Sequence, residues 1–110
     1  METISAIRLC GVADVQDDEG LRVEIAGHVP FAVFRVGADY LVTDDTCSHG
    51  EASLSEGSVD GDQVECPWHS GRFCLRTGQA LNFPAVIPIR VHAAFVRDDA
   101  VFIRQPDEAT

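Results

Sequence analysis

The chain has 110 residues, eighteen Asp and Glu against eight Arg and no Lys, for a formal net charge of −10 at pH 7. That is one small domain, and its charge excludes nucleic acid and anionic membranes as main partners, since both would repel it without gain from counterion release. A basic protein surface is the default partner. The opening Met1-Glu2-Thr3-Ile4 has no positively charged leader, and no apolar run approaches the ~18 residues needed to span a bilayer. The expectation is therefore a soluble, cytoplasmic monomer, in a compartment that keeps its four cysteines (Cys10, Cys47, Cys66, Cys74) reduced and turns them toward metal ligation or burial.

In chain order the periodicity is that of strands. A first strand-like segment ends at Cys10. Leu21 to Ile25 alternates apolar and polar strictly, and Phe31 to Val36, Tyr40 to Thr43, Pro88 to Val96 and Val101 to Arg104 are rich in Val, Ile and Phe. Turn signals punctuate them at Asp17-Asp18-Glu19-Gly20, Ala26-Gly27-His28, Gly37-Ala38-Asp39, Asp60-Gly61-Asp62 and Asp98-Asp99. A turn roughly every 8 to 12 residues, with no amphipathic helix of 10 or more, predicts an all-β fold. The polar tail Gln105 to Thr110 is expected to be disordered.

Between Tyr40 to Thr43 and Pro88 to Val96 lies the chemistry. Cys47-Ser48-His49-Gly50 and Cys66-Pro67-Trp68-His69 form two knuckles, Cys-x-His and Cys-x-x-His, sixteen residues apart. Gly50, Gly57, Gly61 and Gly71 offer the positive φ that tight ligand loops demand, and Pro67 stiffens the second knuckle. Two thiolates and two imidazoles can hold tetrahedral zinc, or a 2Fe-2S centre in which one iron takes both Cys and the other both His. Zinc fingers usually pair ligands by type, whereas mixed knuckles let two adjacent loops each send Cys to an inner iron and His to an outer one.

The knuckles, with Ser53-Leu54-Ser55-Glu56-Gly57, Ser70-Gly71-Arg72-Phe73, Thr77-Gly78-Gln79-Ala80 and Phe83-Pro84-Ala85, resemble the Rieske-type 2Fe-2S ferredoxins of bacterial aromatic-ring-hydroxylating dioxygenases, such as the biphenyl and naphthalene systems. The resemblance covers nearly the whole chain. It implies an all-β Rieske fold of stacked antiparallel sheets, with a cluster-binding lobe at about 44–82 inserted in a base formed by 1–43 and 83–110. It also implies one Rieske 2Fe-2S cluster, with Cys47 and Cys66 on the inner iron and His49 and His69 on the outer. Pro84 matches the proline loop that covers the cluster, and Trp68 would pack over the cluster or project at a docking tip.

Where Rieske proteins of cytochrome bc complexes carry a second disulfide-forming Cys in each loop, this chain has Ala52 and Trp68. Where they carry a Ser and a Tyr donor, it has Gly71 and Phe73. Without those donors the reduced cluster is less stabilised, and the expected potential lies at the low end of the Rieske range, about −150 mV.

The implied function is a one-electron carrier between a flavin-containing, NADH-dependent reductase and a terminal Rieske non-haem iron oxygenase. The chain is not itself an enzyme, for it has no Gly-rich dinucleotide fingerprint and no spare facial set of His and carboxylate. The alternatives are a Rieske ferredoxin or small subunit of another oxidoreductase, and a zinc-stabilised binding module. Residues 36–71 carry eight acidic side chains and no Arg, −8 of the −10, which suggests electrostatic steering onto basic partners. Cys10 and Cys74 read as buried small hydrophobes, His28 and His92 as surface or hydrogen-bonded structural residues, and Arg72 as a balance for lobe charge or the partner of an acidic neighbour.

Overall fold

The computed structural model describes residues 6–46, 52–67, 71–82 and 87–104. The tail at 105–110 therefore lies outside the described residues. Among the described residues ten strands form three antiparallel sheets. One contains β1 (Ala6–Gly11), β10 (Ala100–Arg104) and β9 (Ala94–Arg97), in that order. A second runs β2 (Gly20–Val23), β3 (Phe31–Val36), β4 (Asp39–Asp44) and β8 (Val91–His92). The third and smallest is β5 (Ser58–Asp60), β6 (Gln63–Glu65) and β7 (Arg72–Cys74). Among the described residues two three-residue 3-10 turns, Val12–Asp14 and Leu54–Glu56, complete the regular structure. Among the described residues no helix is long and apolar enough to cross a membrane.

The central strand β3 explains the stacking. Phe31, Ala32, Val33 and Phe34 are all buried, although successive strand residues point to opposite faces. Phe31 and Val33 join Leu9, Cys10, Val23, Val42, Val101 and Ile103 in the core beneath the β1-β10-β9 sheet. Ala32 and Phe34 turn the other way, into a second core with Ala52, Leu54, Val64, Cys66, Phe73, Leu75 and Ile89. An unbroken apolar run is thus a strand covered on both faces, and it makes the middle sheet the wall shared by two cores. In β1 a bulge between Arg8 and Cys10 breaks the register against β10. The extra residue lets the neighbours Leu9 and Cys10 both be buried.

Two expected strands end differently. The segment beginning at Leu21 leaves the sheet at Val23 because its partner β3 begins at Phe31, which sits opposite Val23. Glu24 and Ile25 have no ladder left to join. The segment Pro88 to Val96 divides into β8 and β9: Val91 and His92 pair with Thr43 and Val42 of the middle sheet, whereas Ala94 to Arg97 pair with β10. Ala93 is the point at which the chain changes sheets.

The Asp98-Asp99 turn joins β9 to β10 with φ of 53° and 61°, so both aspartates occupy the left-handed region. Asp99 contributes its backbone carbonyl to Val12 N–H at 2.9 Å, and among the described residues its carboxylate makes no hydrogen bond or ion pair. Replacing Asp99 by Gly removes the steric cost of that φ and should stabilise the domain by about 0.5–1 kcal/mol, read as a higher urea midpoint at unchanged slope.

Candidate functional site

Of the four sequence-predicted ligands, Cys66 is described; Cys47, His49 and His69 lie outside the described residues, as do Trp68 and Pro84. Cys66 follows β6 directly and is 1% exposed, in the core with Leu54, Val64 and Phe73. Among the described residues its thiol has no disulfide or hydrogen-bond partner. A buried sulfur at the entrance to a loop suits the thiolate ligation that iron-sulfur centres use, so the described part of the donor set fits such a group.

The segments that launch and receive the candidate ligand loops are well defined. Ladder pairs Gln63 with Cys74, Val64 with Phe73 and Glu65 with Arg72 hold β6 against β7. Cys66 N–H then donates to Gly71 C=O at 2.7 Å, closing the neck of the second loop. Arg72 Nη2 reaches Glu65 Oε1 across that neck at 3.3 Å, the pairing with an acidic neighbour that the sequence allowed. The first loop closes with less ladder: one isolated bridge joins Thr46 to Ser53, and Leu54 N–H donates to Asp45 C=O at 2.7 Å. A third segment is tied to the second loop, for Leu81 N–H donates to Arg72 C=O at 2.8 Å and Arg72 N–H to Asn82 Oδ1 at 2.7 Å. That fastens the approach to 83–86 beside the Cys66 hairpin.

Gly61 has φ of 60° and turns β5 into β6 as anticipated. Gly57 does not use positive φ; its φ is −80°. Its requirement is space, since an added Cβ would stand 2.2 Å from Glu65 C=O. Gly57 lets the segment after the 3-10 turn lie directly on β6, the strand that leads into Cys66. Ala52 and Phe73 are 1% and 0% exposed in the same core as Cys66, so neither a thiol nor a hydroxyl is supplied at those two positions.

The acidic stretch is less uniformly charged in space than in sequence. Arg76, from outside the stretch, meets Asp39 at 2.9 Å and Asp62 at 3.1 Å. Its guanidinium is held above its ordinary pKa by hydrogen bonds to the Asp62 and Asp39 carboxylates. Asp44 takes His92 Nε2 at 2.8 Å, which makes His92 a hydrogen-bonded structural residue, and its ring packs edge-on to Phe31 at 5.0 Å. His28 is exposed beside the same Phe31. Asp45 is only 1% exposed. Glu56 and Asp60 are exposed with no ion pair among the described residues. The side chains free to act on a partner are thus fewer than the sequence count.

Cys10 is buried, and desolvation raises its thiol pKa, as befits a packing residue. Cys74 departs from the expectation of burial. It is partly exposed, and its thiol pKa is lowered, first by a hydrogen bond from the Thr77 side chain. The following turn exposes it, because β7 ends at Cys74. Asp45 is the residue that sequence reasoning misses: along residues 36–71 it is one acid among eight. A signal was present in Ser53 and Ser55, hydroxyl residues on the far side of a short Cys-containing loop, but nothing in the sequence showed that they return to Asp45.

Comparison with known proteins agrees with this layout. The family model described as Rieske [2Fe-2S] domain matches residues 5–93. The ferredoxin component of the p-cumate 2,3-dioxygenase system of Pseudomonas putida is 45% identical over 98 residues, covering 88% of this chain and 83% of that protein. The solved structure of the Sphingomonas yanoikuyae B1 ferredoxin superposes with a TM-score of 0.88 at 41% identity, over 93% of this chain and 100% of the other. A ferredoxin in a complex of reduced oxygenase and oxidised ferredoxin of carbazole 1,9a-dioxygenase gives 0.84 at 40% identity, over 90% and 92% of the two chains.

Proposed function

Because the chain belongs to the Rieske [2Fe-2S] domain family, we propose that it is the ferredoxin of an aromatic-ring-hydroxylating dioxygenase system, taking electrons from a flavin-containing, NADH-dependent reductase and delivering them to a terminal oxygenase. Its cofactor is one 2Fe-2S cluster of Rieske type, which sets aside the zinc-stabilised module; when bound, the cluster takes up and releases one electron at a time. The relatives are named as ferredoxin components, carriers and not catalysts. The observation that carries the reading is the buried Cys66 thiol, without a partner among the described residues, at a hydrogen-bonded loop neck, inside a chain similar over most of its length to such ferredoxins.

In this reading Cys47 and Cys66 hold the inner iron as thiolates and His49 and His69 the outer iron through ring nitrogens, with Trp68 and Pro84 beside them. The chain's own contribution is rigidity. The loops rise from one lobe sheet and the adjoining 3-10 turn, whose apolar residues share a core with β3, so little need reorganise when the charge changes. The lobe comprises about 44–82, and the base the two flanking stretches. A cytoplasmic location follows from a carrier that meets a nicotinamide-dependent reductase.

The test is reconstitution with candidate flavin-containing reductases and terminal oxygenases, following NADH-driven dihydroxylation of an aromatic ring. Product formation should depend on this protein, and the reduced protein should show the low average g value of a histidine-ligated 2Fe-2S cluster. Full activity without it, and with no other carrier present, would refute the role. Raising ionic strength from about 10 to 150 mM shrinks the screening length from about 30 to 8 Å. The second-order rate with the partner should then fall by about tenfold. With Asp39, Asp62 and Glu65 paired to Arg, Glu56 and Asp60 are the carboxylates expected to carry that dependence.

A further inference from the structure

The geometry points to Asp45 as the positioning residue of the first cluster loop, a side-chain clamp that fixes both ends of the segment bearing Cys47 and His49. Its carboxylate is 1% exposed. One oxygen, Oδ2, accepts the Ser53 hydroxyl at 2.5 Å and lies 3.5 Å from Arg22 Nη1. The other, Oδ1, accepts Ser55 N–H at 2.9 Å. Ser53 and Ser55 hydroxyls stand 2.9 Å apart, so the two receivers are coupled. The backbone of Asp45 is engaged as well, with its N–H donating to Pro30 C=O at 3.0 Å and its C=O accepting from Leu54 N–H at 2.7 Å. One residue thereby fastens the outgoing chain to the base while its side chain grips the returning chain eight and ten positions later.

The two loops differ in how much else holds them. The second is launched and received by the β6-β7 ladder, with three residue pairs before the Cys66-to-Gly71 bond. Among the described residues the first shows no strand ladder beyond the single Thr46-Ser53 bridge, with the Leu54-to-Asp45 backbone bond beside it. A carboxylate removed from water is costly, and its nearest cation, Arg22, is 47% exposed and also committed to Glu24 at 3.0 Å. For core packing alone, an apolar side chain would fill that seat at less cost. What a carboxylate adds is direction: two acceptor oxygens aimed at two particular donors, in a site where an unpaired Ser55 N–H would be expensive. Groups that orient ligands without touching the metal tune its affinity and electronic character.

This inference rests on reading Cys47 and His49 as cluster ligands, and the experiment separates the two. Holoprotein of wild type, Asp45→Ala, Asp45→Asn and Ser53→Ala is compared for iron and acid-labile sulfide per chain, cluster half-life under chelator, and the g values and midpoint potential of the reduced centre. Asp45→Ala should shorten the half-life by about tenfold or more, shift the g values, and raise the potential by removing a negative charge beside the loop. Asp45→Asn keeps an oxygen for Ser55 N–H, and the Ser53 hydroxyl can turn to accept from the amide. It should retain a half-life within about threefold of wild type while still raising the potential. Ser53→Ala, the mildest change, should shorten the half-life in the same direction and serves if Asp45→Ala does not fold. Wild-type g values and half-life in Asp45→Ala, or in Ser53→Ala where that stands in, would overturn the clamp and leave the ligand reading intact. A loss confined to apo-protein stability would do the same. Wild type without iron or sulfide would overturn both.

Discussion

Cys66→Ser yields a protein without the visible absorption of a 2Fe-2S centre, with electron delivery below about 1% of wild type and a lower unfolding temperature in every buffer in which the wild type holds its cluster. The expected effect is this large because three losses coincide. Serine is a poor thiolate substitute, and loss of a ligand should exceed the 10–100-fold typical of groups that only support ligands. Cluster binding is itself folding free energy, since the unfolded chain holds no preformed site, so a cluster-free chain forfeits that contribution. The seat is 1% exposed among Leu54, Val64 and Phe73, where a hydroxyl without a partner costs about 1–3 kcal/mol. Cys66→Ala separates these causes: it also loses the cluster, yet its apo form should be more stable than that of Cys66→Ser. Cys10→Ala should leave the cluster content untouched, because Cys10 sits in the other core, across β3. Absorption, iron content and thermal unfolding of the three variants check this directly; a coloured, active Cys66→Ser protein would show that Cys66 is a packing residue.

Much of this was legible in the sequence, and the boundary between legible and hidden has physical causes. Phe31 to Val36 could be read because a long apolar run with β-branched residues has few homes other than a buried strand, and Val91 to His92 and Ala94 to Arg97 could be read as extended for a similar reason. Their division between two sheets could not, because which partner a strand chooses depends on residues 40 positions away and more, such as Val42 and Thr43. The strands of the small sheet, Ser58–Asp60, Gln63–Glu65 and Arg72–Cys74, were missed because three residues are too few for alternation to register. Only their Asp60-Gly61-Asp62 turn was visible.

At the site the pattern is similar. Cys66 can be put forward as a ligand from spacing and residue type, which are local facts. Asp45 did not, because a carboxylate in a run of acids looks solvated until the chain returns with Ser53 and Ser55 to bury it. The acidic stretch misled in a related way. Counted along the chain it is unrelieved, but Arg76 folds back between Asp39 and Asp62 and Arg72 onto Glu65. Charge that is contiguous in sequence is partly neutralised in space.

The second large effect lies away from the ligands, at Gly78. Its φ is +81°, and a Cβ there would lie 2.1 Å from Ile89 C=O and 3.3 Å from Val91 Cγ1. The obstructing atom belongs to the segment that Gly78 itself fastens, for Gly78 C=O accepts Ile89 N–H at 2.8 Å and Gly78 N–H donates to Cys74 C=O at 2.7 Å. A methyl group therefore cannot be accommodated by swinging a flexible side chain aside; the lobe's last turn must part from the returning chain. Left-handed backbone costs a non-glycine residue about 1–2 kcal/mol, and overpacking against backbone adds about 1–3 kcal/mol. Gly78→Ala should thus lose about 3–4 kcal/mol of a total near 5–15, lowering the unfolding temperature by about 10 °C or more. Gly27→Ala supplies the control, because Gly27 has a similar φ of +84° but nothing within 4 Å of the added carbon. It should lose only the conformational part, about 1–2 kcal/mol, so the difference between the two variants measures the contact. Ile89 shares its core with Cys66 and Phe73. A Gly78→Ala protein that still folds should therefore release its cluster faster than Gly27→Ala, and equal release rates would show that the seam at Gly78 is mechanically independent of the site.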